Sequence, residues 1–269
     1  MRLLQDVPLP VLAELPDREN VKQIIQRERK KNVPANPRTL EELLDIPDQF
    51  RKTKVGEPFL IYDSFEDENA AGTDRIIVFS TKENLSDLAR SRIWYVDGTF
   101  KTAPSIFHQL FVIMGLTQQY VNGMELNIAL LYVYALMKSK TQLSYAKVFE
   151  VTSSTAENLG IAVIPPEIIM CDFELSIIKA ATTRFGLIVR GCLFHLCQSI
   201  YRHVQSEGLQ QKYNDQEDRS IKEATQMMAA LAFVPETSVL EHFDTFMDEI
   251  SSREETEDFL PIADYFDVR

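Results

Sequence analysis

The chain has 269 residues, of which 45% are hydrophobic and 25% charged, a composition typical of one sizeable domain with appendages or of two small ones. A net charge of -12 argues against a free-standing DNA-binding module, which would be basic. The longest apolar stretch, about residues 128–137, is too short to span a bilayer, and the first residues lack the apolar core of a signal peptide. Three cysteines without framework spacing fit a reducing compartment, so we expect a nuclear or cytoplasmic protein that is neither secreted nor in a membrane.

The first 58 residues, punctuated by prolines, predict a helical extension. A helix is expected over Asp17–Lys31, with Asp17 as its N-cap and a basic cluster at its end. The cluster either contacts a phosphate backbone or only complements the helix dipole in solvent. A second helix is expected over Thr39–Leu44, because Thr39-Leu40-Glu41-Glu42 reads as a capping box.

Residues 59–206 predict the core of the protein. β-rich runs at 59–62 and 75–79 and a helix at 82–91 precede three strands at 93–96, 107–114 and 127–135, whose links are short enough for antiparallel hairpins. Helices at 140–158, 174–185 and 195–205 then alternate with strands at 167–171 and 187–193. This order predicts an α/β fold: a mixed sheet of three antiparallel strands followed by alternating strands and helices, with helices on both faces.

The last quarter of the sequence carries the negative charge. Residues 1–60 have 11 basic and 10 acidic groups (net +1), residues 61–206 have 12 and 14 (net -2), and residues 207–269 have 5 and 16 (net -11). Helical spacing over 220–231 and 238–250 predicts that 207–269 is an acidic helical segment.

Two aspartates that follow apolar runs are the candidate catalytic residues. Asp97 ends the first core strand and Asp172 ends the fourth. Each has a simpler interpretation: Asp97-Gly98 is typical of a hairpin turn, and Asp172 of a helix N-cap. If the two strands are neighbours, however, both carboxylates reach the same edge of the sheet, where like charges require a cation between them.

Such a pair favours phosphoryl-transfer chemistry on a divalent ion. Oxygen ligands suit Mg²⁺, which polarises a phosphoryl oxygen and lowers the pKa of a bound water. A third carboxylate normally completes a site of this kind, and no residue stands out for that role. Cys192, His195, Cys197 and His203 offer zinc-type ligands, but their spacing matches no common zinc signature, so packing and hydrogen bonding are favoured over zinc.

Three motifs, in this order, resemble the transposase domain of Mutator-like elements, the MULE domain. They are Trp94–Lys101 (WYVDGTFK), Met170–Glu174 (MCDFE) and Gly191–Gln198 (GCLFHLCQ), with a looser similarity at Leu231–Pro235. The resemblance extends over about residues 60–269.

The resemblance implies an RNase H-like fold and a Mg²⁺- or Mn²⁺-dependent site of two aspartates and a glutamate that cleaves and joins DNA strands. Asp97 and Asp172 match the first two carboxylates, and Cys192 and His195 match a supporting Cys-x-x-His element. Transposon-end DNA is the implied partner, and a homo-oligomer is possible. The family's glutamate follows a helical insertion, near paired asparagines; Glu249, Glu254, Glu255 and Glu257 have no such pair, so the third carboxylate stays unassigned.

Three functional hypotheses follow. The first is a MULE transposase core that ends inside or just past the insertion, with ancestral DNA strand cleavage and transfer that is impaired in this chain. The second is a domesticated or decaying remnant that acts, without catalysis, as a protein or chromatin interaction module; the acidic segment and the missing carboxylate favour it. The third is an RNase H-like nuclease unrelated to transposition, which explains residues 191–198 less well.

Overall fold

A seven-stranded sheet forms the centre of the computed structural model, which describes residues 17–31, 34, 36–68, 74–162, 165–186 and 189–267. The strands are β1 (Leu60–Asp63), β2 (Ile76–Phe79), β3 (Ile93–Thr99), β4 (Gln109–Val121), β5 (Met124–Met137), β6 (Ile168–Cys171) and β7 (Val189–Gly191). The α-helices are α1 (Arg18–Lys31), α2 (Asp48–Arg51), α3 (Lys82–Arg90), α4 (Gln142–Asn158), α5 (Leu175–Phe185), α6 (Leu193–Ser206), α7 (Gln210–Tyr213), α8 (Ser220–Ala230), α9 (Val239–Ser251) and α10 (Leu260–Asp267). Short 3-10 helices occupy Leu231–Phe233, Glu236–Ser238 and Glu254–Phe259.

The strand order is β1-β2-β5-β4-β3-β6-β7. Strands β1 to β5 pair in antiparallel fashion along this order, whereas β3–β6 and β6–β7 are parallel. The predicted α/β class and mixed sheet are therefore confirmed. The two early β-rich runs, which the sequence did not place, extend the same sheet at one edge.

The β4–β5 hairpin is longer than predicted. Its turn consists of Asn122 and Gly123 alone, with φ angles of 52° and 78°. Positive φ at both central residues is typical of a tight two-residue hairpin turn, which keeps both strands in register up to the turn. The gap predicted between the strands at 107–114 and 127–135 was therefore too long, because strand pairing continues to Val121 and resumes at Met124.

Helices cover one face of the sheet. Alternate strand residues such as Trp94, Val96 and Phe111 are buried there against α3, α4 and α5, together with Tyr145 and Phe149 of α4. Burial of these large side chains supplies most of the hydrophobic stabilisation of the core. Because side chains alternate along a strand, Tyr95 and Asp97 project from the opposite face.

The opposite face is covered differently from the prediction. Over β2 and β5 its apolar residues pack against Leu40, Leu43 and Ile46 and against residues 106–107, none of which lies in a helix. The helix predicted over Thr39–Leu44 was wrong: these residues form a turn in which Leu43 N–H donates to Leu40 O. The prediction of helices on both faces is therefore not met at this end of the sheet.

The C-terminal helices form an apolar core of their own. Ile200 and Val204 of α6 pack with buried residues of α8, α9, α10 and the 3-10 helix that precedes α10, including Phe246 and Phe259. The predicted helices in this segment are confirmed to within one residue at each end. The domain limits 1–58, 59–206 and 207–269 stay a prediction.

Most other element ends lie within two residues of those predicted. Asp17 caps α1 as expected, because its carboxylate accepts a hydrogen bond from Asn20 N–H at 2.9 Å. Strand β7 is shorter than the predicted 187–193, whose first two residues lie outside the described part, and α6 starts two residues earlier than predicted. Within the described ranges, no helix has the length and apolar character to cross a membrane.

Candidate functional site

Asp97 lies inside β3, not at its end. The strand continues to Thr99, and Asp97, Gly98 and Thr99 pair with Val112, Phe111 and Leu110 of β4. The hairpin-turn interpretation of Asp97-Gly98 is therefore wrong, and so is the predicted end of the strand at Val96. The β4 partners hold the Asp97 backbone in a regular ladder, which fixes the direction of its side chain.

Asp172 follows β6 directly and begins the turn into α5. Its Oδ1 accepts a hydrogen bond from Glu174 N–H at 3.1 Å. The N-cap residue of α5 is Glu174, whose side chain makes no capping bond. The N-cap interpretation of Asp172 is thus wrong by two positions, and the helix starts at Leu175 instead of Glu174; the carboxylate closes the turn before the helix.

The parallel register of β3 and β6 places the two aspartates at the same level. Ile93, Trp94 and Tyr95 pair with Ile168, Ile169 and Met170, so the register, continued by two residues, sets Asp97 beside Asp172. Neighbouring strands lie about 4.8 Å apart. The strand adjacency that the sequence argument required is present.

Neither aspartate has a cationic partner among the described residues. Asp97 is half-buried and makes no hydrogen bond or ion pair there, and Asp172 accepts only the Glu174 N–H. Two like charges on neighbouring strands repel each other unless a cation lies between them. The pair therefore leaves carboxylate oxygens free for an external ligand.

Glu174 is held away from this pair by its own partners. One of its carboxylate oxygens accepts a hydrogen bond from the Tyr145 hydroxyl at 2.9 Å, and the other forms an ion pair with Lys140. Tyr145 in turn accepts a hydrogen bond from Gln109 Nε2 at 2.8 Å. Sequence reasoning missed this polar group, because its members are far apart along the chain and share no local pattern.

Burial and negative charge raise two pKa values at this edge of the sheet. Burial, and then the charge of Asp172, raises the pKa of the Cys171 thiol to about 12. The pKa of Tyr145 is also raised, first by burial and then by Glu174, against an opposing effect of Gln109. Both groups therefore stay protonated at neutral pH.

The Cys-x-x-His element lies at the start of α6. Cys192 N–H donates to Cys171 O at 2.8 Å, which ties this element to the strand that leads to Asp172. The Nδ1 atom of His195 is buried without a hydrogen-bond partner, and its ring contacts Phe194 edge-on at 5.5 Å. Cys192 is therefore tied to the candidate site through Cys171, and the supporting role of Cys192 and His195 stays a prediction.

The other zinc-type residues lie elsewhere. Cys197 is exposed, and the His203 ring stacks on Tyr265 of α10 at 3.9 Å, in the C-terminal core. Within the described ranges, no group of three or more His, Cys, Asp or Glu residues is arranged to hold a metal. No third carboxylate therefore joins the two aspartates in this part of the chain; Glu249 of α9, for example, pairs with Arg253.

Exposed phenylalanines follow the three neighbouring strands β3, β6 and β7. Phe100, Phe173 and Phe194 expose 51%, 54% and 66% of their surface. Gly191 leaves room for the Phe173 ring, because a Cβ atom there would lie 2.6 Å from a ring carbon. These apolar rings at a polar edge were not singled out in the sequence, although each follows a strand by one to three residues.

Comparison with known proteins gives one result for this region. Residues 93–199, less than half of the chain, match the model of a family described as the MULE transposase domain. No curated protein matches the chain. The matched segment runs from the first residue of β3 into α6 and contains Asp97, Asp172, Cys192 and His195, so the predicted resemblance to the MULE transposase domain is confirmed over residues 93–199.

Proposed function

We propose that residues 93–199 form a transposase-derived core with an RNase H-like fold, which ancestrally cleaved and joined DNA strands with Mg²⁺ or Mn²⁺. The observation that carries this proposal is that Asp97 lies in β3 and Asp172 directly follows the adjacent parallel strand β6, without a cationic partner for either among the described residues. The strand order β5-β4-β3-β6-β7, with one antiparallel meander and two parallel additions, supports the fold assignment.

The residues present fit a divalent ion in part. Two carboxylates with oxygens not engaged by the described residues are the hard ligands that Mg²⁺ and Mn²⁺ take, and Mg²⁺ is held by few protein carboxylates because it keeps several waters. A bound ion of this kind supplies Lewis-acid polarisation of a phosphoryl oxygen and a more acidic water. Asp97 and Asp172 would hold it, while Cys192 and His195 would support the neighbouring turn.

DNA is the proposed substrate and partner. The exposed rings of Phe100, Phe173 and Phe194 offer surfaces on which unpaired bases stack, an interaction worth about 1–3 kcal/mol per base. Lys101, next to Phe100, is exposed and available for a phosphate. Action on DNA would place the protein in the nucleus.

A second candidate function is a non-catalytic interaction module. Two observations favour it: among the described residues no third carboxylate joins the aspartates, and the acidic C-terminal helices form a separate apolar core that could persist without catalysis. A lost metal ligand displaces the reacting groups, and errors near 1 Å can cost about 100-fold in rate.

Nicking of supercoiled DNA by the full chain in Mn²⁺, alongside Mn²⁺ binding, separates these functions. Catalysis predicts nicking that Asp97→Asn and Asp172→Asn abolish. The matched control is Asp87→Asn, which removes a carboxylate that already pairs with Arg90 on α3. Mn²⁺ binding without nicking favours the interaction module, whereas Mn²⁺ binding unchanged by both aspartate substitutions contradicts the proposed site.

A further inference from the structure

A chain of hydrogen bonds that begins in the core connects the surroundings of the two aspartates. Gln109 at the start of β4 donates to Tyr145 of α4, and Tyr145 donates to Glu174. Glu174 N–H then donates to the carboxylate of Asp172. Gln109 and Tyr145 are both fully buried, so breaking the bond between them leaves a buried polar group unpaired, at a cost of about 1–3 kcal/mol.

The other end of this chain reaches the residue next to Asp97. The Oε1 atom of Gln109 has no hydrogen-bond partner and lies against Gly98, where a Cβ atom would be only 2.4 Å from it. Gln109 therefore fills the space that Gly98 leaves. The amide cannot move toward β3, and its Nε2 holds it to Tyr145 on the other side.

Glu174 acts through the turn and not as a metal ligand. Its two oxygens are occupied by the Tyr145 hydroxyl and by Lys140. With the side chain fixed in this way, its backbone N–H is fixed too, and that N–H orients Asp172. Groups that orient ligands are known to affect metal affinity by about 10- to 100-fold when they are removed.

We propose that Gln109, Tyr145 and Glu174 are positioning residues that set the spacing of the Asp97 and Asp172 carboxylates so that both can hold one divalent ion. The inference rests on the proposed metal site. It gives α4 a second role: besides covering one face of the sheet, the helix carries the hydroxyl that ties the start of β4 to the turn after β6.

The test is the Mn²⁺ dissociation constant of the full chain, measured by electron paramagnetic resonance of the free ion. Tyr145→Phe removes only the bridging hydroxyl, and we expect it to weaken Mn²⁺ binding by about 10-fold or more. Tyr132→Phe is the matched control, because its buried ring lies in the same core while its hydroxyl contacts Thr117 at 2.6 Å, away from the carboxyl ends of β3 and β6. The control should bind Mn²⁺ as the wild type does.

Glu174 supplies a second comparison that does not alter the core. Glu174→Gln keeps an oxygen that accepts from Tyr145 and should retain most of the affinity, whereas Glu174→Ala should lose about 10-fold. Equal affinities for Tyr145→Phe and Tyr132→Phe, or for Glu174→Gln and Glu174→Ala, would overturn the positioning role. Failure of the proposed function looks different: the wild type then binds no Mn²⁺, or binds it independently of Asp97 and Asp172.

Discussion

Each end of the β3–β6 strand pair carries two charged side chains. Those at the amino end have opposite charges, and those at the carboxyl end have like charges. At the amino end, Arg92 donates two hydrogen bonds of 2.6 Å to the carboxylate of Glu167. At the carboxyl end, the corresponding positions are Asp97 and Asp172, two like charges with no cationic partner among the described residues. Both pairs are separated by 75 residues along the chain, because both follow the same parallel register.

The difference separates an end of the strand pair that the protein neutralises from an end that the described residues leave negatively charged. The amino end is neutralised by the protein itself, and its ion pair is largely exposed, so it makes little demand on the fold. The carboxyl end concentrates negative charge that the described residues do not balance, and an external cation would complete it.

The largest expected effect is stabilisation of the wild type by a divalent ion. With Mn²⁺ at 100 times its dissociation constant, the free energy of unfolding should rise by about 2.7 kcal/mol, because the ion binds the folded state only. The double variant Asp97→Asn/Asp172→Asn should show no rise in urea unfolding. Glu167→Gln, which alters only the amino end, should show the full rise; loss of the rise in that control would contradict the contrast.

Substitutions of Gly98 in β3 and of Gly115 in β4, which lie toward opposite ends of the β3–β4 pair, should cost similar stability but differ in their effect on metal affinity. A Cβ at Gly98 would lie 2.4 Å from Gln109 Oε1, and one at Gly115, opposite Trp94, would lie 2.9 Å from atoms of Ser91 and Tyr132. Overpacking of this kind costs about 1–3 kcal/mol in the free energy of unfolding.

Only Gly98→Ala should also weaken Mn²⁺ binding, by about 10-fold, because it displaces Gln109 beside the site. Urea unfolding and a Mn²⁺ titration on both variants check the pair of expectations. A loss of affinity in Gly115→Ala of the same size would mean that general destabilisation, and not local displacement, controls the site.

The sequence predicted the fold correctly where the local residue pattern indicates the same structure as the strand pairing. Apolar runs before Asp97 and Asp172 predicted the adjacent strands β3 and β6, since buried parallel strands are continuously apolar. It failed at Asp97-Gly98, because the same dipeptide is typical of hairpin turns and only pairing with β4 decides between turn and strand. It also failed at Thr39, where Glu42 accepts from Arg38 N–H and does not complete the capping box.

The positioning group was beyond reach of sequence reasoning for another reason. The bond between Gln109 and Tyr145 joins residues 36 apart, and the bond between Tyr145 and Glu174 joins residues 29 apart. Neither spacing belongs to a helix or hairpin pattern, so the contacts arise only when α4 packs on the sheet. Asp97 and Asp172, in contrast, could be identified because each follows an apolar run that predicts a strand.

Without metal, substitutions at the carboxyl and amino ends of the β3–β6 pair should change the free energy of unfolding in opposite directions. Asp97→Asn relieves the repulsion of like charges on neighbouring strands and should raise the free energy of unfolding by about 0.2–1 kcal/mol. Arg92→Met removes an attractive partner and should lower it slightly. Both differences, measured by urea unfolding in a chelator, should shrink as salt screens the charges. A change in the free energy of unfolding in the same direction for both variants would contradict repulsion at the carboxyl end and attraction at the amino end.

The smallest effect is the pH dependence of the amino end. The hydrogen bonds from Arg92 lower the pKa of Glu167 below its ordinary 4.5, so the folded state favours the ionised carboxylate. The stability that this pair contributes is therefore present above the unfolded pKa and is lost as pH falls through the folded one. In urea unfolding, the difference between the wild type and Glu167→Gln should be present at neutral pH and disappear in acid, where both side chains are uncharged. A difference that persists in acid would mean that side-chain packing, and not charge, accounts for the contribution of Glu167 to stability. The charge contrast between the two ends of the β3–β6 pair would then not explain the stability of the amino end.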